Sequence, residues 1–359
     1  MNRFISSLWK RLPEGVKDYL SEVAIYSFML IIYRLNNYYW GFIKKQTWQI
    51  MLTFFLGYII LGLPYYLWIA PRIKNRKPRA RIVLRFISRY LKSYLSYLKS
   101  FNSAKLAHIP PADKVTKVSI LFLLVKLYYI PIMLNFVIGH TIDLPRRWQI
   151  LKIAVTHGGN AFEAFYFFAL SFMFFWDTLY YSFGYLVESR YLDNEVRSVE
   201  PTVFGWFVAL GCYPPFNDLV SRYLPWHPNE SAYYGNQTLT VIFRLLIIAL
   251  TFIYLWATLA LGAKCSNLTN RGIVDRGPYA YVRHPAYISK NLAWWLMILP
   301  QLSLAKLLHI SGWAPILSGL GWSLIYFFRA ITEERHLIED PDYQKYCKKV
   351  RWRFIPYVF

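Results

Sequence analysis

An all-α fold, a polytopic bundle of membrane helices, follows from three observations on this 359-residue chain. It is 56% hydrophobic and 19% aromatic. Several apolar runs are longer than the interior of a soluble domain can use, and the cleanest, Leu245 to Ala263 (LLIIALTFIYLWATLALGA), is uncharged over about the 20 residues that cross a bilayer core. None of the runs alternates with the period of two that a barrel strand needs. Backbone groups in hydrocarbon must bond within their own segment, so the runs are helices.

The elements follow in order. The stretch Tyr19 to Tyr33 is the first candidate span, short enough that an interfacial helix is its alternative. No cleavable signal is expected, because MNRFISSLWKRLPEGVKDYL mixes charges and lacks an apolar core with a small-residue cleavage site. Spans are expected at Trp48 to Ala70, Val118 to Ile142, Ala161 to Leu186 and Leu245 to Ala263. A closing hairpin is formed by Ala286 to Leu304 and Gly312 to Phe328. The segment TVFGWFVALGCYPPFNDL is short and broken by Pro214 and Pro215; counted as a crossing, it brings the total to about eight.

The net charge of +22 invites a nucleic-acid reading, and its distribution argues against one. Between Arg72 and Lys99 lie ten basic residues and no acid, directly after a span. Arg81, Arg85, Arg89, Lys92 and Lys99 recur at helical spacing opposite Ile87, Leu91, Leu95 and Leu98. That pattern fits an amphipathic helix on anionic headgroups, and equally a positive-inside topology signal. Either reading makes residues 72–99 cytoplasmic, and parity then puts both termini inside, in the inner membrane or the endoplasmic reticulum. Arg146, Arg147 and Lys152 fall on the wrong side of this scheme. Residues 1–236, span after span with irregular joins, are expected to form an acceptor-specificity region. Residues 237–359 concentrate their polar side chains in two patches around the hairpin.

Cys212, Cys265 and Cys347 are far apart and lack metal-ligand spacing, so neither a disulfide framework nor a metal site is expected. Sequon-like triplets begin at Asn229, Asn236 and Asn267, a match too common by chance to decide anything. Charges within spans are costly, and Lys126 and Asp177, at similar depth, are expected to pair.

The first patch, RGPYAYVRHPAYISKN (276–291), ends where a helix begins after His284 and Pro285, leaving N–H groups and a positive dipole end. The second, FFRAITEERHLIEDPDYQKYCKKVRWRFIP, leaves the other leg of the hairpin at the same membrane face. Arg329 and Glu333 stand four apart on one helical face, with Glu334 beside them. The expected result is a cytoplasmic-face pocket with acid, arginine and aromatic walls.

RGIVDRGPYAYVRHPAY (271–287), FRAITEERHL (328–337) and DYQKYCKKVRWRFIP (342–356) together resemble the isoprenylcysteine carboxyl methyltransferase-like and phospholipid methyltransferase family of integral membrane enzymes. The resemblance covers roughly the last third of the chain. It implies S-adenosyl-L-methionine as cofactor, held by Ile273, Val274, Tyr279, His284, Pro285, Ala286, Tyr287 and Glu333, with Glu334 counted beside it. It implies that Arg329 contacts the methyl acceptor, a lipidic or lipid-linked carboxylate or headgroup. Tyrosine faces hold a sulfonium by cation–π attraction, worth about 0.5–2 kcal/mol, and an arginine fork suits a carboxylate. Arg271, where the family often has histidine, and Ser289, where it often has glycine, depart from the pattern. The tail Tyr346, Cys347, Val350, Arg353, Ile355 and Pro356 also resembles that of membrane sterol reductases, which use NADPH. Their R-H-x-N-Y-x-G-D block, however, meets Ala286 and Lys290 here where it has asparagine and aspartate.

Overall fold

The computed structural model describes residues 9–73, 76–100, 111–224, 230–231, 233–307 and 313–358. It is an all-α membrane protein. Among the described residues five helices are long and apolar enough to cross a bilayer: Lys45–Arg72, Lys114–Thr156, Ala161–Leu186, Gln237–Lys264 and Trp313–Leu337. The chain divides into two compact units, residues 1–128 and 129–359.

In the first unit, α1 (Glu14–Leu35), α2 (Asn37–Phe42), α3 (Lys45–Pro64, running on through a π turn and a 3-10 turn to Arg72) and α4 (Arg79–Ser100) come in order, followed by the start of α5 (Lys114–Thr156). Its interior is polar where α1 meets α4. Asp18, 5% exposed, pairs with Arg76 and with Arg81 (3.0 Å), and Arg81 also reaches Glu14 (2.5 Å). Arg81 was expected in the lipid-facing stripe of α4, and it is instead turned inward. A buried Asp18 without cations would cost several kcal/mol, on the order of 3–5.

The long α5 is shared between the units. Its 43 residues reach about 65 Å at 1.5 Å per residue, twice a bilayer core, and pass through Pro131 and Pro145 without ending. Arg146 and Arg147, which broke the topology rule as a loop, are therefore helical, and Asp143 neutralises both (2.7 and 2.9 Å). Lys126 and Asp177, expected as a pair, lie one in each unit. Lys126 donates to the Tyr26 hydroxyl (3.2 Å), whereas Asp177 accepts from Tyr254 (2.9 Å) and Thr258 (2.6 Å).

The second unit continues with α6 (Ala161–Leu186), α7 (Val203–Leu210), α8 (Phe216–Tyr223), α9 (Gln237–Leu261), α10 (Pro285–Leu307), α11 (Trp313–Leu337) and α12 (Pro341–Lys349). Side-chain caps start four of them: Asn160, Thr202, Asn236 and Asp340 each accept from a backbone N–H of the first turn. The segment counted as a span across Pro214 and Pro215 is the pair α7 and α8, about 12 Å each and too short singly to cross. Helices α6, α9, α10 and α11 pack on Tyr166, Leu170, Met173, Ile247, Leu255, Met297, Ile298 and Trp322. The turn of the α10–α11 hairpin lies outside the described residues, as does Asn229. A two-residue antiparallel ladder, Ser198–Val199 (β1) with Thr269–Asn270 (β2), ties the segment before α7 to the segment after α9. Below it the chain comes close to itself: a Cβ at Gly184 would lie 1.8 Å from the Cys265 carbonyl oxygen, so only glycine lets α6 approach that backbone.

Candidate functional site

The two polar patches are brought into contact. The Tyr287 hydroxyl, on the first turn of α10, donates to Glu333 Oε2 near the end of α11 at 2.6 Å. Around this bond lies a cleft within the second unit, lined among others by Tyr279, His284, Ala286, Tyr287, Arg329 and Glu333. Its free interior is about 80 Å³, inside an envelope of about 710 Å³ that includes space open to solvent.

Six of the ten residues expected in the site therefore face one cleft. The other four, Ile273, Val274, Pro285 and Glu334, are not among its lining. Ile273 packs against the cluster of Tyr343, Tyr346 and Val350 on and after α12. Pro285 is buried at the first position of α10, where its missing N–H costs nothing. Glu334 points away from Glu333, as adjacent helix residues do, and is the hub of a second network. It receives His284 Nε2 (3.1 Å), Arg283 Nη1 (3.2 Å) and Arg353 Nε (3.0 Å). The His284 ring thus bonds this acid rather than capping α10, and it stacks on Tyr287 at 5.3 Å with 7° between planes. Backbone bonds from Arg283 N to the Trp352 carbonyl and from His284 N to that of Arg353, 2.9 Å each, strap the C-terminal tail to the same turn.

Arg329 is 6% exposed and sits in an aromatic box, with its guanidinium 5.2 Å from the Tyr287 ring centre and 5.7 Å from those of Tyr213 and Tyr326. It donates to Asn267 Oδ1. Asn267 is held in turn: its Nδ2 donates to the Tyr213 hydroxyl (3.1 Å) and its N–H to that of Tyr185 (2.8 Å). The broken G-C-Y-P-P-F segment thereby delivers Tyr213 to the arginine. Asn267 was visible in the sequence only as a sequon-like triplet, and nothing in its spacing tied it to Arg329. Arg271 has a structural place. It is 3% exposed and donates to Ser266 Oγ (2.8 Å) and the Asn194 carbonyl (2.7 Å), outside the cleft lining.

Ion pairs and hydrogen bonds also tie the segment before α10 to α12. Asp275, bonded by Lys349 at 2.7 Å, is held below the usual carboxylate range by that contact. Burial pushes Asp340 up, but Asn270, the Asp342 N–H and Arg197 outweigh it and leave its pKa lowered. Burial also pushes the Tyr279 hydroxyl well up, so this cleft residue is neutral at physiological pH.

The site combines a cleft carboxylate, a buried arginine, tyrosine faces and an apolar wall from Ala209, Leu261 and Leu268. No cluster of three or more metal-ligating side chains occurs among the described residues. No curated protein and no solved structure matches the chain. Residues 229–350, from just before α9 to the end of α12, match the family model described as a protein of unknown function (DUF1295).

Proposed function

We propose that the protein is an S-adenosyl-L-methionine-dependent membrane methyltransferase acting on a lipidic or lipid-linked acceptor. The observation that carries this reading is the Tyr287–Glu333 bond, which gathers the carboxylate, the tyrosine faces and Arg329 around one cleft. The donor set suits the cofactor in kind: Glu333 accepts from hydroxyl or ammonium groups, and Tyr279 offers a ring to a cation. Tyr287 is partly committed, since His284 and Arg329 already pack on its ring. The free interior is smaller than a nucleoside, so binding requires the cleft to widen.

When bound, the cofactor supplies an electrophilic methyl group on sulfur. The chain's own task is then positioning, for which well-oriented reactants gain roughly 7–11 kcal/mol. Arg329, fixed by Asn267, orients an anionic or acceptor-rich group of the second substrate, while the apolar wall keeps water out and admits its lipid part. An acceptor that is already ionised needs no general base.

The sterol-reductase-like alternative with NADPH has less support. Arg283 and His284 are spent on Glu334, and Glu200 and Glu333 line the cleft as carboxylates unfavourable to phosphates. Incubating membranes that contain the protein with methyl-labelled S-adenosyl-L-methionine tests the reading. Label is expected in the lipid extract with wild type and is lost at least about a hundredfold with Arg329→Met, as removal of a positioning charge implies. No label above control membranes would refute it.

Helix α4 supports the second partner, anionic lipid. Beyond its buried first turns, Arg85, Arg89 and Lys92 are exposed together with Ile87, Leu91, Leu95 and Leu98. Each basic group contributes on the order of 1 kcal/mol at an anionic surface.

A further inference from the structure

Glu200 was not singled out by any motif, and it precedes the matched family segment. It is 2% exposed and lines the same cleft as Glu333. Its main chain is fixed on both sides: the N–H donates to the Leu268 carbonyl (2.8 Å), continuing the β1–β2 ladder, and its carbonyl accepts from Trp206 Nε1 (2.8 Å). One carboxylate oxygen is saturated, because Oε1 accepts from Thr202 N (3.1 Å), Thr202 Oγ1 and Arg335 Nη2 (2.9 Å). The other, Oε2, is buried with no hydrogen-bond partner among the described residues. An ionised oxygen left so is costly, on the order of several kcal/mol, unless something donates to it. The fold also makes room for this carboxylate. A Cβ at Gly205, on the first turn of α7, would lie 2.5 Å from Glu200 Cδ and would displace the carboxylate from this position.

We propose that Glu200 is a ligand-contacting residue of the cleft. Its Oε2 accepts from a hydroxyl pair or an ammonium group of the bound nucleoside and sets the cleft against nucleotides that place a phosphate there. The proposal rests on the methyl-transfer reading for the identity of that ligand. Arg335 and Thr202 orient the carboxylate from behind, leaving its second oxygen to the ligand. With Glu333 on α11 and Glu200 before α7, two acids contributed by distant parts of the sequence line one donor-rich ligand's cleft.

The test uses the purified full chain and calorimetric titration with S-adenosylhomocysteine, 5′-methylthioadenosine and NADPH, on wild type, Glu200→Gln and Arg335→Gln. Both variants break the same ion pair, so their unfolding temperatures should fall together. Glu200→Gln is expected to weaken S-adenosylhomocysteine about tenfold or more, the loss of one charge-assisted bond, and Arg335→Gln by less than about threefold. A parallel loss for 5′-methylthioadenosine, which keeps the diol and lacks the ammonium, assigns the contact to the diol; loss for S-adenosylhomocysteine alone assigns it to the ammonium. Wild-type affinity in Glu200→Gln, or equal losses in the two variants, overturns the proposal, the second because Glu200 would then only hold Arg335. If wild type binds NADPH and no S-adenosylhomocysteine, the methyl-transfer reading fails by itself. Glu200 must then still repel phosphate, so Glu200→Gln should bind NADPH several-fold more tightly, and unchanged affinity overturns the assignment. Binding of neither probe by wild type overturns both.

Discussion

Glu333 and Glu334 are adjacent in sequence and differ in their surroundings. The exposed Glu333 carboxylate meets Tyr287 in the cleft, while Glu334 is buried under Arg283, His284 and Arg353. Replacing Glu333 with Gln should change stability by less than about 0.5 kcal/mol, as at other exposed positions, while weakening S-adenosylhomocysteine. Replacing Glu334 with Gln should cost about 3 kcal/mol of stability, because it strands partly buried cations. Chemical denaturation beside ligand titration separates the two outcomes. A reversal, with Glu334 governing affinity and Glu333 stability, would mean that the cleft is assigned to the wrong face of α11.

At the scale of elements, α12 and the tail act as a clamp on the turn that precedes α10. Asp340 caps α12 and joins Asn270 and Arg197, and Asp275 holds Lys349. Both carboxylates have lowered pKa values in the folded protein. Their contribution is therefore complete above the unfolded value of 3.8 and is lost as pH falls below it through the folded values. Unfolding temperature should fall on acidification below about pH 4, and less steeply in Asp340→Asn, which has already lost that contribution. An identical acid slope in the variant would show the clamp carries none of it. The amphipathic α4 makes a separate prediction in vesicle flotation. The isolated segment 76–100 should bind vesicles containing phosphatidylserine and lose most of that binding when Arg85, Arg89 and Lys92 become Gln, each worth about 1 kcal/mol. Equal binding to neutral vesicles would reduce its charge to a topology signal.

For the whole molecule, what the sequence made legible was what depends on local pattern. Apolar length marked α3, α5, α6, α9 and α11 as spans, because hydrocarbon leaves the backbone no other choice. The short motifs brought Tyr279, His284, Tyr287, Arg329 and Glu333 to one cleft because each is placed by its own helix turn. What stayed illegible depends on distant partners. Arg81 turned inward because Asp18, 63 positions away, sits opposite it, and α5 ran on through Arg146 because Asp143 neutralises the arginines there. Asn267 and Glu200 carry no periodic signal, and only the β1–β2 ladder and the fold of the second unit bring them to the hairpin. The proposed methyl transfer requires that the cleft joining the two legs of this hairpin bind a nucleoside sulfonium donor. The most direct measurement is calorimetric titration of the purified protein with S-adenosylhomocysteine and with NADPH, repeated on Glu333→Ala. Saturable binding of S-adenosylhomocysteine, weakened about tenfold or more by the substitution and without matching affinity for NADPH, is the result predicted. Tight binding of NADPH with none of S-adenosylhomocysteine would contradict it.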